Sequence, residues 1–92
     1  MNICEEMKKL RSFLDNNHIK WRDNSDDMIN ICRTRFEIGN INFSVINGEN
    51  TYGGSKGLLE LSIWDKEGDG LNPSGWYSAR DVIRVIKEFG RR

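Results

Sequence analysis

The chain has 92 residues, 37% of them hydrophobic and 30% charged. That is the size and mix of one folded domain, with no room for a second, and it is far from a disordered polyelectrolyte. Fourteen basic and fourteen acidic side chains cancel, which excludes the basic surplus of a non-specific nucleic-acid binder and the acidic surplus of a DNA mimic.

No apolar run exceeds two residues, too short for a membrane-spanning helix. The opening Met1-Asn2-Ile3-Cys4-Glu5-Glu6 has neither the basic start nor the apolar core of a signal peptide. Two cysteines do not make a disulfide framework. A cytoplasmic protein is expected.

In chain order, Ile3, Met7, Leu10 and Leu14 recur at spacings of four, three and four, which predicts a helix over 3–16 with Phe13 widening its apolar stripe. Glu5 and Lys9 form an i,i+4 pair on the far side, and Asn16-Asn17 is expected to end the helix in a left-handed cap. Ile19 and Trp21 alternate with Lys20 and Arg22 as in a short strand or extended arm, and Asp23-Asn24-Ser25-Asp26-Asp27 is turn chemistry.

Residues 33–46 carry the clearest signal. Gly39-Asn40 separates two alternating runs and fits a two-residue hairpin turn with Gly first. That register pairs Ile38 with Ile41, Phe36 with Phe43 and Thr34 with Val45 on one face. It places Glu37 opposite Asn42, Arg35 opposite Ser44 and Arg33 opposite Ile46 on the other. Ile29 and Ile31 alternate in the opposite phase, so a bulge or break is expected near Ile31-Cys32.

Residues 47–57, with four glycines, read as a loop. Residues 58–64 read as a third strand with Leu59, Leu61 and Ile63 inward, and residues 65–75 as a second loop rich in Gly, Asp and Pro. Ser78 with Asp81 caps a final helix over 78–89, with Val82, Ile83, Ile86 and Phe89 as its apolar face and Arg80, Arg84 and Lys87 as a basic stripe on the other side. The expected fold is a single α+β domain over 1–92: a two-layer sandwich of order αβββα, with a three-stranded antiparallel sheet covered on one face by the terminal helices.

Few residues suggest chemistry. Cys4, His18 and Cys32 are the only soft metal ligands, too scattered for a zinc site, and buried thiols packing as small hydrophobes are the simpler expectation. Asp65-Lys66-Glu67-Gly68-Asp69-Gly70 echoes a calcium loop, but Trp76 stands where the bidentate acid belongs. No nucleophile–base motif is present, and so short a chain has little scope for a deep pocket; no enzyme activity, cofactor or metal is expected.

Tyr52-Gly53-Gly54-Ser55-Lys56-Gly57 offers backbone N–H groups, an aromatic face and a cation, the parts that hold a phosphate or stack a base. It leads into a strand rather than a helix N-terminus, so a plain flexible connection is the competing reading. Arg33 and Arg35 lie two apart on one strand and share its solvent face, with Trp64 at the edge. Arg33, Arg35, Tyr52, Gly53, Gly54 and Lys56 are therefore the candidate binding residues, expected at one end of the sheet.

Five stretches carry a resemblance: Cys32-Arg33-Thr34-Arg35-Phe36, Phe43-Ser44-Val45-Ile46-Asn47-Gly48, Thr51-Tyr52-Gly53-Gly54, Gly57-Leu58-Leu59-Glu60 and Ser78-Ala79-Arg80-Asp81-Val82-Ile83. Over residues 10–89 or so the chain resembles small phage and prophage proteins of Gram-positive gut bacteria. Such single-domain, cofactor-free proteins are often inhibitors of host antiviral systems, anti-CRISPR proteins among them, and the step from resemblance to function is an analogy. It implies a non-enzymatic inhibitor in the host cytoplasm that binds a defence effector protein, for instance a CRISPR-associated nuclease. The alternative is a protein that sequesters a nucleotide immune signal. Both leave homo-oligomerisation open.

Overall fold

The inward-facing Cys32, Thr34, Phe36, Phe43 and Val45 of one hairpin build the centre of the molecule. In the computed structural model, which describes residues 4–48, 57–68 and 70–90, the elements are α1 (Glu5–Asn16), β1 (Trp21–Asp23), β2 (Ile31–Ile38), β3 (Ile41–Gly48), β4 (Leu59–Trp64), β5 (Gly70–Tyr77) and α2 (Ala79–Gly90). The strands form one antiparallel meander in the order β1-β2-β3-β4-β5.

The β2–β3 hairpin has the predicted register throughout, with Phe36 opposite Phe43, Thr34 opposite Val45 and Arg35 opposite Ser44. Gly39 takes φ +60° at the first position of its turn, a conformation that side-chain-bearing residues adopt at a cost. The two phenyl rings stack at 4.9 Å, and Phe89 of α2 meets Phe43 edge-on at 5.5 Å. Met7, Leu10 and Leu14 of α1 and Val82 and Ile86 of α2 are buried in one cluster with Phe36, Phe43, Val45 and Leu61. Both helices thus cover the same sheet face, giving the two-layer α+β arrangement.

The sheet has five strands where the sequence predicts three. The arm at Trp21–Asp23 pairs with Thr34–Phe36 as edge strand β1. The expected loop over 65–75 becomes strand β5 from Gly70 onward. Its Gly-Leu-Asn-Pro-Ser-Gly segment has no alternation, and β4 supplies the template: β5 pairs along Leu59–Trp64 with register shifts either side of Leu61. Pro73 is tolerated because β5 is an edge strand. A methyl group at Gly70 would collide with the Ile63 carbonyl, so this close approach requires glycine.

Three smaller expectations change. No bulge interrupts β2 at Ile31-Cys32. Asp27–Asn30 form a turn in which Asn30 takes φ +53°, so Ile29 lies outside the strand and its phase does not count. The left-handed residue after α1 is His18 (φ +56°), beyond the Asn17 cap. Glu5 pairs with Lys8 rather than Lys9, and Lys9 turns to Glu6 at 3.0 Å.

The Ser78–Asp81 capping box forms as predicted: the Asp81 amide donates to Ser78 Oγ at 3.2 Å, and the Ser78 amide to Asp81 Oδ2 at 3.0 Å. The two helices are also joined at that end, where the Ala79 amide donates to Glu6 Oε1 at 2.8 Å. A carboxylate thus meets one of the unsatisfied N–H groups at the start of α2. Among the described residues, no helix is long and apolar enough to cross a membrane.

Candidate functional site

The sheet face turned away from the helices has no second layer among the described residues. Because Thr34 and Phe36 point into the core, Arg33 and Arg35 point out, and the register arranges their neighbours as a grid. Arg22, Arg35, Ser44 and Ser62 lie in one row across four strands. Glu37, Asn42 and Trp64 form the row on one side, and Arg33, Ile46 and Glu60 the row on the other.

Arg35 reaches across β3 to Trp64 on β4, with its guanidinium carbon 5.4 Å from the ring centroid. Small Ser44, 8% exposed, lies between them. A cation over an indole face is held by the ring quadrupole. The Nε of Arg35 is buried there without a hydrogen-bond partner. An unmet donor of that kind costs free energy until something accepts from it. Arg22 and Glu37 beside it are engaged with each other through two bonds of 3.0 and 2.7 Å. That bridge lowers the Glu37 carboxyl pKa and raises that of Arg22.

The structure therefore brings Arg33 and Arg35 onto one face with Trp64. Tyr52, Gly53, Gly54 and Lys56 lie outside the described residues. The segment containing them joins Gly48 to Gly57, and Gly48 pairs with Ile31 two residues beyond the Arg33–Ile46 pair. Sequence reasoning missed Arg22 as a member of this face. The signal was present in the alternation of Lys20 and Arg22 with Trp21, which sets Arg22 outward once β1 is recognised as a strand.

The candidate metal ligands do not converge. Cys4 precedes the start of α1 and His18 follows its end, so the whole length of the helix, about 18 Å, separates them. Cys32 is buried in β2. Among the described residues no group of three His, Cys, Asp or Glu side chains is placed to hold a metal ion. Burial pushes the Cys32 thiol pKa up, which makes it a poorer nucleophile.

An open cleft of about 620 Å³ runs along the β1 edge, lined by Asp15, His18, Ile19, Lys20, Trp21 and Arg22. Its aromatic member is already committed: the Trp21 indole donates to Asp15 Oδ1 at 2.8 Å, and Arg11 lies 4.6 Å from its ring centroid.

The chain matches no family model, no curated protein and no solved structure.

Proposed function

We propose that the protein is a non-enzymatic binding protein that grips a partner protein with the outer face of its sheet. The observation that carries this reading is the Arg35–Trp64 pair, held on a face that no described element covers. Arg and Trp are the residue types that most often dominate interface energetics. A row of Arg22, Arg35, Ser44 and Ser62 running across four strands suits a protein surface better than a small molecule, which prefers an enclosing concavity. The resemblance to phage proteins adds the expected partner, a host defence effector such as a CRISPR-associated nuclease.

The test is the double substitution Arg33→Ala with Arg35→Ala. Arg33 and Arg35 are half-buried, and the Arg35 change also gives up the Trp64 contact, worth about 0.5–1 kcal/mol, so melting should fall only slightly and the fold should be kept. Partner binding, measured on the complex recovered from the producing cells, should weaken at least tenfold, about 1.4 kcal/mol. A melting temperature that climbs with added nucleotides, with no polypeptide partner recovered, would replace this reading by capture of a nucleotide signal.

A further inference from the structure

The turn between β1 and β2 carries two exposed large apolar side chains, Met28 at 94% and Ile29 at 59%. Everything else about that turn is well held. Asp26 and Ile31 exchange backbone hydrogen bonds of 2.8 and 3.0 Å, and the Asn30 amide donates to the Asp27 carbonyl at 3.3 Å. The Met28 amide donates to Asp26 Oδ1 at 2.9 Å. The result is a pinned apolar tip flanked by two exposed carboxylates, Asp26 and Asp27. A tip already fixed in shape loses little freedom on docking.

Its complement lies on the same chain. Arg80, Arg84 and Lys87 are exposed on α2 and, with Ile83, line a hollow of about 260 Å³. Positions 80, 83, 84 and 87 share one helix face, so the three cations surround a half-buried apolar side chain. Tip and hollow match in order: apolar centre to apolar centre, acids to bases.

We propose that the Met28–Ile29 tip of one molecule docks in the α2 hollow of a second copy, with Asp26 and Asp27 facing Arg80, Arg84 and Lys87. An anionic lipid surface is the poorer occupant for the tip, because Asp26 and Asp27 would meet like charge there. The contact is head-to-tail. A pair joined this way keeps one free tip on one molecule and one free hollow on the other, and the assembly either closes into a ring or grows. Two apolar side chains and a few exposed ion pairs make a small interface, so association shows at high protein concentration and weakens with salt. The outer sheet face takes no part, so this inference stands apart from the proposed partner surface.

Sedimentation velocity across a concentration series at low salt tests it with two variants. Met28→Asp spoils the tip and leaves the hollow; Arg84→Glu spoils the hollow and leaves the tip. The wild type should self-associate, and each variant alone should do so at least tenfold more weakly with an unchanged melting temperature. An equimolar mixture of the two variants should recover association and stop at the dimer, since one working tip meets one working hollow. A wild type that stays monomeric throughout, variants that associate like the wild type, or a mixture no larger than its components would each overturn the proposal.

Discussion

Arg11 of α1 donates from Nε to Oγ1 of Thr34 on β2 at 2.8 Å, in the middle of the helix–sheet interface. The same guanidinium reaches Asp23 Oδ1 at 3.3 Å, the Arg33 carbonyl at 3.4 Å and Cys32 Sγ at 3.7 Å, and it lies over Trp21. One side chain, 8% exposed, thereby joins α1 to both β1 and β2. Asp23 is held on its far side by the Ser25 hydroxyl and amide, which are the main reason its carboxyl pKa is lowered.

Arg11→Ala removes charge-assisted bonds and the packing of the stem together. It should cost about 2–3 kcal/mol in urea unfolding, in the range of hydrogen bonds to charged groups. Arg11→Met keeps the stem and leaves no buried charge, so it should recover about half of that loss. Equal losses in both variants would mean that packing is irrelevant at this position.

Phe36→Ala and Phe43→Ala each empty a fully buried ring site and break the 4.9 Å stack. Each should cost about 3–5 kcal/mol, against a total of roughly 5–10 kcal/mol for a domain of this size. Thermal unfolding should find both variants barely folded, and a melting temperature unchanged in both would show that this pair does not anchor the core.

The helix junction makes acid stability specific. The Glu6 carboxyl pKa is lowered chiefly by the Ala79 amide and then by Lys9. A carboxyl group lowered in the folded state stabilises above its unfolded value, about 4.3 for Glu. That contribution is lost as pH falls through the lower folded value. Glu6→Gln keeps an acceptor for Ala79 but does not titrate, so stability measured from pH 7 to pH 3 should fall less steeply than in the wild type. Asp23, Glu37 and Asp81, all likewise lowered, should leave a residual slope. An unaltered slope would show that the junction is not coupled to protonation.

Cys32 is 3% exposed and its thiol pKa is raised by burial, whereas Cys4 is half-buried at the start of α1. A thiol reagent should label Cys4 first, and Cys32 only at the rate at which the core opens. Mild denaturant should accelerate Cys32 labelling much more than Cys4 labelling; equal rates without denaturant would contradict the burial of β2.

The hairpin was legible because its signals agree. A two-residue turn with Gly39 fixes one register, and that register sorts every side chain from Arg33 to Ile46 onto a consistent face. The outward placement of Arg33 and Arg35 followed from it. β5 was illegible because its pairing is imposed by β4, and a segment with Gly70, Pro73 and Gly75 shows no period of its own. Arg11 was overlooked although its position was readable. It stands four residues after Met7 and three before Leu14, inside the apolar arc, where a charged residue signals a buried partner. The Arg35–Trp64 contact spans two strand spacings, and no local pattern encodes a diagonal of that length.

The central claim is that a partner protein sits on the outer sheet face, and site-specific photo-crosslinking tests it most directly. A photoreactive residue replacing Ser62 would stand in the row of Arg35 and Ser44; one replacing Ser12 would stand exposed on α1, in the layer covering the opposite face. On illumination in the producing cells, Ser62 should yield a discrete cross-linked polypeptide and Ser12 should not. Cross-links from Ser12 but not Ser62, or from neither position, would contradict the account.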